Sequence, residues 1–128
     1  MTHRKPARTT GLAHLIAATG YSLAGLRRLW QEASFRQEAL GGLAGVVALV
    51  ALGATAQSVA VFVMLLLALL TVEALNTAIE VIVDHLSPDW SDFAKQAKDV
   101  GSAAVLLMIL VNAVWFLTTI IGLWSVQG

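Results

Sequence analysis

The charged residues of this 128-residue chain are segregated along its length, and that segregation limits the fold more than any other feature. All sixteen, eight basic and eight acidic, fall within residues 1–38 and 73–99. Residues 39–72 and 100–128 carry none. With 58% hydrophobic and 12% charged residues and a mean hydropathy of +0.78, too little polar surface remains to cover a water-soluble globule. An average soluble domain is about a quarter charged. The composition therefore excludes a conventional soluble domain and, more firmly, a disordered chain. A net charge of zero argues against a nucleic-acid binder, which needs a basic excess. The absence of cysteine excludes disulfides, thiolate nucleophiles and Cys-zinc sites. The length allows one domain, and the composition makes it a membrane domain.

The pattern predicts an all-α membrane protein with three transmembrane helices and an N-terminal amphipathic surface helix. A basic tail covers residues 1–10 and a single domain residues 11–128. Within that domain the surface helix runs over about 11–31 and the spans over about 36–55, 58–85 and 92–124. Residues 39–56 form a neutral block about long enough to cross a bilayer. Gly41, Gly42 and Gly45 give it a small-residue face for close helix contact. The link near Gly53–Ser58 is short enough to force an antiparallel hairpin. Ser87-Pro88 marks the next turn, with Pro suited to the first position of the following helix. The third block contains Asn112, a candidate interhelical hydrogen bond, and Trp115 and Trp124, which with Trp30 read as interfacial anchors.

Before the first span, Leu12, Leu15, Ile16, Leu23, Leu26 and Trp30 recur at helical spacing beside Arg27 and Arg28. This is an amphipathic helix lying on a membrane surface. A signal peptide is the competing reading, but Thr19, Gly20, Tyr21 and Ser22 interrupt the apolar run and no small-residue cleavage site follows. Arg4, Lys5, Arg8, Arg27, Arg28 and Arg36 precede the first span, and Lys95 and Lys98 lie between the second and third. The other connecting segments have no basic residue. This bias places the N-terminus in the cytoplasm.

On the second span Glu73, Asn76, Thr77, Glu80 and Asp84 share one helical face. Exposed to lipid, each carboxylate would cost roughly 2.5–3.5 kcal/mol, so the face must meet protein, metal, water or substrate. Glu73 lies about 21 Å along the helix, roughly 9 Å inside the cytoplasmic boundary of a 30 Å core. A carboxylate partly buried there suits a general base. Carboxylates at the boundary suit Mg²⁺, which completes its shell with water and phosphates. Lys98 offers a point charge for phosphate, and Asp99 beside it is another hydrogen-bonding or metal-binding group. These are the parts of a phosphoryl-transfer site, although the P-loop and protein-kinase signatures are absent. A polar stripe that glues helices into an oligomer and a proton or cation pathway remain open alternatives.

Other charged and polar residues have plainer readings. Glu38 pairs with Arg36 or Arg28 at the interface, or serves the site. Asp92 and Lys95 read as a solvated helix pair. His14 and His85 have no metal-ligand companion.

The segments Glu73-Ala-Leu-Asn76-Thr77-Ala-Ile-Glu80-Val-Ile-Val-Asp84 and Ala97-Lys98-Asp99-Val-Gly101-Ser102-Ala-Ala, with Phe35-Arg36-Gln37-Glu38, Gly20-Tyr21-Ser22 and Gly25-Leu26-Arg27, resemble one family. It is the small integral-membrane prokaryotic diacylglycerol kinase family, which also includes undecaprenol kinases. The Gly-Tyr-Ser segment and Trp30 look more like the diacylglycerol kinases of Gram-negative bacteria. The resemblance implies a homotrimer in the cell inner membrane, with active sites shared between neighbouring subunits at the cytoplasmic interface. It also implies transfer of the γ-phosphate of MgATP to the primary hydroxyl of diacylglycerol, giving phosphatidic acid. Undecaprenol is the alternative acceptor.

Carried over by motif position, Glu73 is the general base, Glu32 and Glu80 hold Mg²⁺, and Lys98 contacts the γ-phosphate. Asn76 and Asp99 support the catalytic geometry. Asp84, Asp89 and Tyr21 lie on the nucleotide side, and Ser22 and Ser102 line the lipid entrance. His14 falls at a lipid-site position where well-known members carry Arg, and Trp90 where a Tyr is expected.

Overall fold

Residues 10–127 are described by the structure, a computed structural model. Arg4, Lys5 and Arg8 of the basic tail lie outside the described residues. Four helices follow one another: α1 (Leu12–Leu29), α2 (Ala33–Ala51), α3 (Ala56–Leu86) and α4 (Asp92–Gln127). The described residues contain no strand.

Each break has a local cause. After α1 the chain tightens at Trp30–Glu32, where Gln31 and Glu32 donate to Arg28 and Leu29 carbonyls at 3.1 and 2.9 Å. Arg36, from the first turn of α2, reaches back and donates to the Trp30 and Gln31 carbonyls, both at 2.9 Å. Carbonyls that a helix end leaves without partners are satisfied, and the angle between α1 and α2 is pinned. Arg36 is thus engaged with backbone and not with Glu38.

The α2–α3 hairpin is closed from both sides. Gly53 takes a positive φ of 79°, and the Gly53 and Ala54 amides donate back to the Val50 and Leu49 carbonyls at 3.1 and 2.9 Å. This is a Schellman closure, in which glycine occupies a left-handed position without a Cβ clash. Thr55 then caps α3, its Oγ1 accepting from the Ser58 amide at 3.1 Å. The first span expected over about 36–55 is therefore cut short at Ala51. Before α4 the cap is Ser91, whose Oγ accepts from the Ala94 amide at 3.2 Å. Pro88 sits in the preceding loop and not at the first helical position, because the Ser91 cap sets the start at Asp92, four residues later.

α3 lies between the other two long helices, packed along α4 on one side and α2 on the other, while α2 and α4 barely meet. Among the described residues α3 and α4 are long and apolar enough to cross a membrane. α2 is not, because Arg36, Gln37 and Glu38 fill its early turns and leave only Ala39–Ala51, about 20 Å of apolar helix. The glycine face works through Gly42 and Gly45: a Cβ at Gly42 would collide with the Leu66 side chain, and at Gly45 with the Phe62 ring. Gly41 faces open space.

Toward the far end of α3 and α4, Asn112 donates to the Leu65 and Met108 carbonyls at 3.1 and 2.9 Å, as its sequence position suggested. The Trp115 indole donates to the Ser58 carbonyl at 3.1 Å, so this tryptophan also ties the helices together. Leu49 is the one large side chain fully buried among the described residues. Long apolar side chains stand exposed on all four helices, and α1 buries no residue. A surface this apolar belongs against lipid or another chain.

Candidate active site

The polar face predicted for the second span lies on α3 and turns inward. Glu73 is 3% exposed, Asn76 and Thr77 are buried, Glu80 is half-buried and Asp84 is exposed. The stripe thus runs from the packed interior of the bundle to its surface. The structure divides it between two cavities.

The inner cavity, about 210 Å³, is lined by Glu32, Ser34, Glu38, Glu73, Asn76, Thr77, Glu80, Ser102 and Val105. α2 supplies Ser34 and Glu38, the α1–α2 joint Glu32, α3 the stripe, and α4 Ser102. Four carboxylates converge here from three separate parts of the chain. Glu73 accepts a hydrogen bond from the Ser34 hydroxyl. Asn76 Nδ2 donates to Glu80 Oε1 at 3.1 Å, while Asn76 Oδ1 is buried with no partner. Glu38 Oε2 is also buried without a partner. Its expected pairing with arginine does not form, because Arg28 binds Glu32 at 2.5 Å and Arg36 serves the joint.

Gly101 explains how α3 and α4 come close enough to build this wall. A Cβ there would overlap the Asn76 amide oxygen, so a larger residue would push the amide or the helix aside. Ser34 and Gly101 are the two residues whose roles sequence reasoning missed. Gly101 stood inside a recognised motif, and its neighbourhood to α3 was not readable from spacing. Ser34 had no local signal at all.

The outer cavity, about 420 Å³, is lined by Asp84, Asp89, Trp90, Lys95, Lys98 and Asp99 with neighbouring loop residues. Lys98 Nζ pairs with Asp84 Oδ1 across the helix pair at 2.5 Å. Lys95 pairs with Asp99 at 2.5 Å and not with Asp92, since the i to i+4 spacing places it over the following turn. Glu80 and Asp84 are one turn apart on α3, and Ser102 and Lys98 one turn apart on α4. The two cavities are therefore neighbours, separated by about 6 Å of helix rise. Lys98, Asp84, Asp89 and Asp99 are gathered together, and Glu32, Glu73, Asn76, Glu80 and Ser102 are gathered beside them.

The residues expected on α1 are not brought to either cavity. Tyr21 and His14 are exposed, and the Ser22 hydroxyl folds back onto the Ala18 carbonyl at 3.0 Å. The reason is that α1 buries nothing against the rest of the chain.

Among the described residues no three His, Cys, Asp or Glu side chains stand close enough together to cage a metal ion. The inner cavity nonetheless fits Mg²⁺ chemically. Glu32 and Glu80 are hard oxygen donors facing one open space, and Mg²⁺ typically takes one or two carboxylates with water and substrate phosphates.

Comparison with known proteins places the chain in a family. Residues 20–120 match the family model described as prokaryotic diacylglycerol kinase. A Sinorhizobium protein named diacylglycerol kinase is 45% identical over 106 residues, 83% of this chain and 77% of its own. The Escherichia coli K12 protein of that name is 41% identical over 121 residues, 94% of this chain and 97% of its own. A Pseudomonas aeruginosa diacylglycerol kinase is 38% identical over 114 residues, 88% of this chain and 93% of its own. The matched segments contain both cavities.

Proposed function

Since the chain belongs to the prokaryotic diacylglycerol kinase family, we propose that its inner cavity is where a lipid hydroxyl attacks the terminal phosphate of ATP. The chain functions as a diacylglycerol kinase. The observation that carries the assignment of the site is the buried Glu73 carboxylate facing a cavity shared with Glu32, Glu80 and Asn76.

Glu73 takes the proton of the primary hydroxyl of diacylglycerol as that oxygen attacks the γ-phosphorus in line. The bond from phosphorus to the bridging oxygen breaks, ADP departs, and phosphatidic acid remains. Asn76 holds the Glu80 carboxylate in place through its amide. Glu32 and Glu80 would hold Mg²⁺, which when bound neutralises charge on the phosphate oxygens. Lys98 meets the γ-phosphate on exchanging its Asp84 partner, with Asp99 supporting it. Asp84, Asp89 and Tyr21 face the nucleotide, and Ser22, Ser102 and His14 the lipid. Most of the rate comes from positioning and electrostatics, because phosphoryl transfer leaves the protein little covalent work.

The same reading makes α2 the first and shortest of three spans, and α1 a helix resting on the membrane surface. The exposed apolar flanks of α2, α3 and α4 are covered by lipid and by two further copies in a homotrimer. Such an assembly gives α1 of one copy a neighbour's cavity to complete, which accounts for Tyr21, Ser22 and His14 standing apart. The protein sits in the cell inner membrane with its N-terminus cytoplasmic, as the distribution of basic residues directs.

An assay with radiolabelled ATP and either diacylglycerol or undecaprenol in mixed micelles tests the acceptor. Phosphatidic acid is the expected product, and phosphorylation of undecaprenol in preference would overturn it. Liposomes loaded with a proton or cation gradient should hold that gradient without ATP; rapid dissipation would support a conductor instead.

A further inference from the structure

Glu73 is buried at 3% exposure, and none of the ion pairs among the described residues reaches it. Arg28 is taken by Glu32, Lys95 by Asp99 and Lys98 by Asp84. Glu38, which lines the same cavity, keeps a buried Oε2 with no partner. Asn76 Nδ2 donates to Glu80 and not to Glu73. The donor that Glu73 does have is Ser34, whose hydroxyl meets Glu73 Oε1 from the first turn of α2. Ser34 follows Glu32, the N-cap residue of α2, by two positions, and both line the inner cavity.

We propose that Ser34 is a positioning residue for phosphoryl transfer: its hydroxyl holds Glu73 Oε1 and leaves Oε2 to take the proton from the lipid. The inference rests on the reading of Glu73 as the base. A glutamate's terminal torsion is broad and has no sharp rotamer, so an untethered carboxylate would present its free oxygen in many directions. A hydrogen bond to a charged acceptor is among the stronger ones available. Ser34 lies two residues after Glu32, so the tether joins the base to the chain segment that carries the cation-side carboxylate. A latch between α2 and α3 with no part in the reaction would instead contribute stability and leave turnover per folded molecule unchanged.

The test compares Ser34→Ala and Ser34→Thr in the full-length chain in lipid–detergent micelles. It measures kcat, KM for ATP, KM for diacylglycerol and thermal unfolding. Loss of one hydrogen bond to a charged group predicts about a tenfold lower kcat for Ser34→Ala, with both KM values within about twofold. Ser34→Thr keeps the hydroxyl and should restore kcat. Unchanged kcat in Ser34→Ala, with only a lower unfolding temperature, overturns the proposal, as does a folded Ser34→Thr with the alanine variant's kcat. Should Ser34→Ala not fold, Ser34→Cys retains the size with a weak donor and should give an intermediate kcat; wild-type kcat there overturns it too. Glu73→Gln is measured alongside. If that variant stays active the base reading fails, whereas an inactive Glu73→Gln beside a fully active Ser34→Ala removes only the role of Ser34.

Discussion

Asn76 and Asn112 are both buried between α3 and α4, each at 8% exposure, and each keeps a side-chain oxygen with no partner. They differ in what their amide hydrogens reach. Asn112 donates to two backbone carbonyls and lines a largely apolar cavity of about 270 Å³ with Gly42, Gly45 and Phe62. Asn76 donates to a carboxylate and lines a cavity with four acids. In the first region a polar residue binds two helices together. In the second it holds a charged side chain against an open space. A buried amide in a membrane bundle is therefore not informative until its acceptor is known. Backbone acceptors mark adhesion, and acidic side chains beside a cavity mark chemistry.

That contrast can be broken at both ends. The largest effect is expected from Glu73→Gln, which keeps the shape and removes the base. Turnover should fall by at least about 100-fold while unfolding temperature stays near that of the parent; near-normal kinase activity in micelles would remove Glu73 from the mechanism. Gly101→Ala comes next, since its Cβ must displace the Asn76 amide. Overpacking of this kind costs about 1–3 kcal/mol, and the activity of the folded fraction should drop along with stability. Normal specific activity would show that the position of Asn76 is not critical.

A subtler effect is expected of Glu80→Gln and Glu32→Gln, which should shift the Mg²⁺ titration of activity to higher concentration. An unchanged titration would argue against both as ligands. The smallest change in activity is expected from Asn112→Leu. It should alter stability by about 1 kcal/mol and leave kcat within about twofold of the parent. Collapse of turnover in a folded Asn112→Leu protein would erase the distinction between the two asparagines.

Much of this could be read along the chain. Charge-free blocks and the i, i+3, i+4, i+7 spacing of Glu73, Asn76, Thr77 and Glu80 required a helix with a protected polar face, and α3 has one. Asn112 between helices followed from an amide in an apolar run. The end of α2 was less legible: the apolar sequence continues past Ala51, and only the glycine-mediated closure at Gly53 and the Thr55 cap show where the helix stops. Lys95 was assigned the wrong partner, and Glu38 was left open between an arginine pair and the site until the structure placed it in the inner cavity, because each choice depended on which side of its helix met another. The glycine face was right in kind, yet the contacts are made by Gly42 and Gly45, since rotation of α2 against α3 turns Gly41 outward.

By itself the sequence determined that this chain is helical, belongs with membranes, carries three of its eight acids on one face of its second span, and is a member of a lipid kinase family. Those properties are periodic or compositional, and periodicity survives in one dimension. Tertiary structure decided which acids share a cavity. It placed Glu32 and Ser34 beside Glu73, thirty-nine or more positions away in the chain, and separated Lys98 from them by a turn of helix. It also let Gly101 admit Asn76. Contacts between helices depend on rotation and axial offset, and a single hydroxyl meeting a single carboxylate leaves no trace in the spacing of either helix.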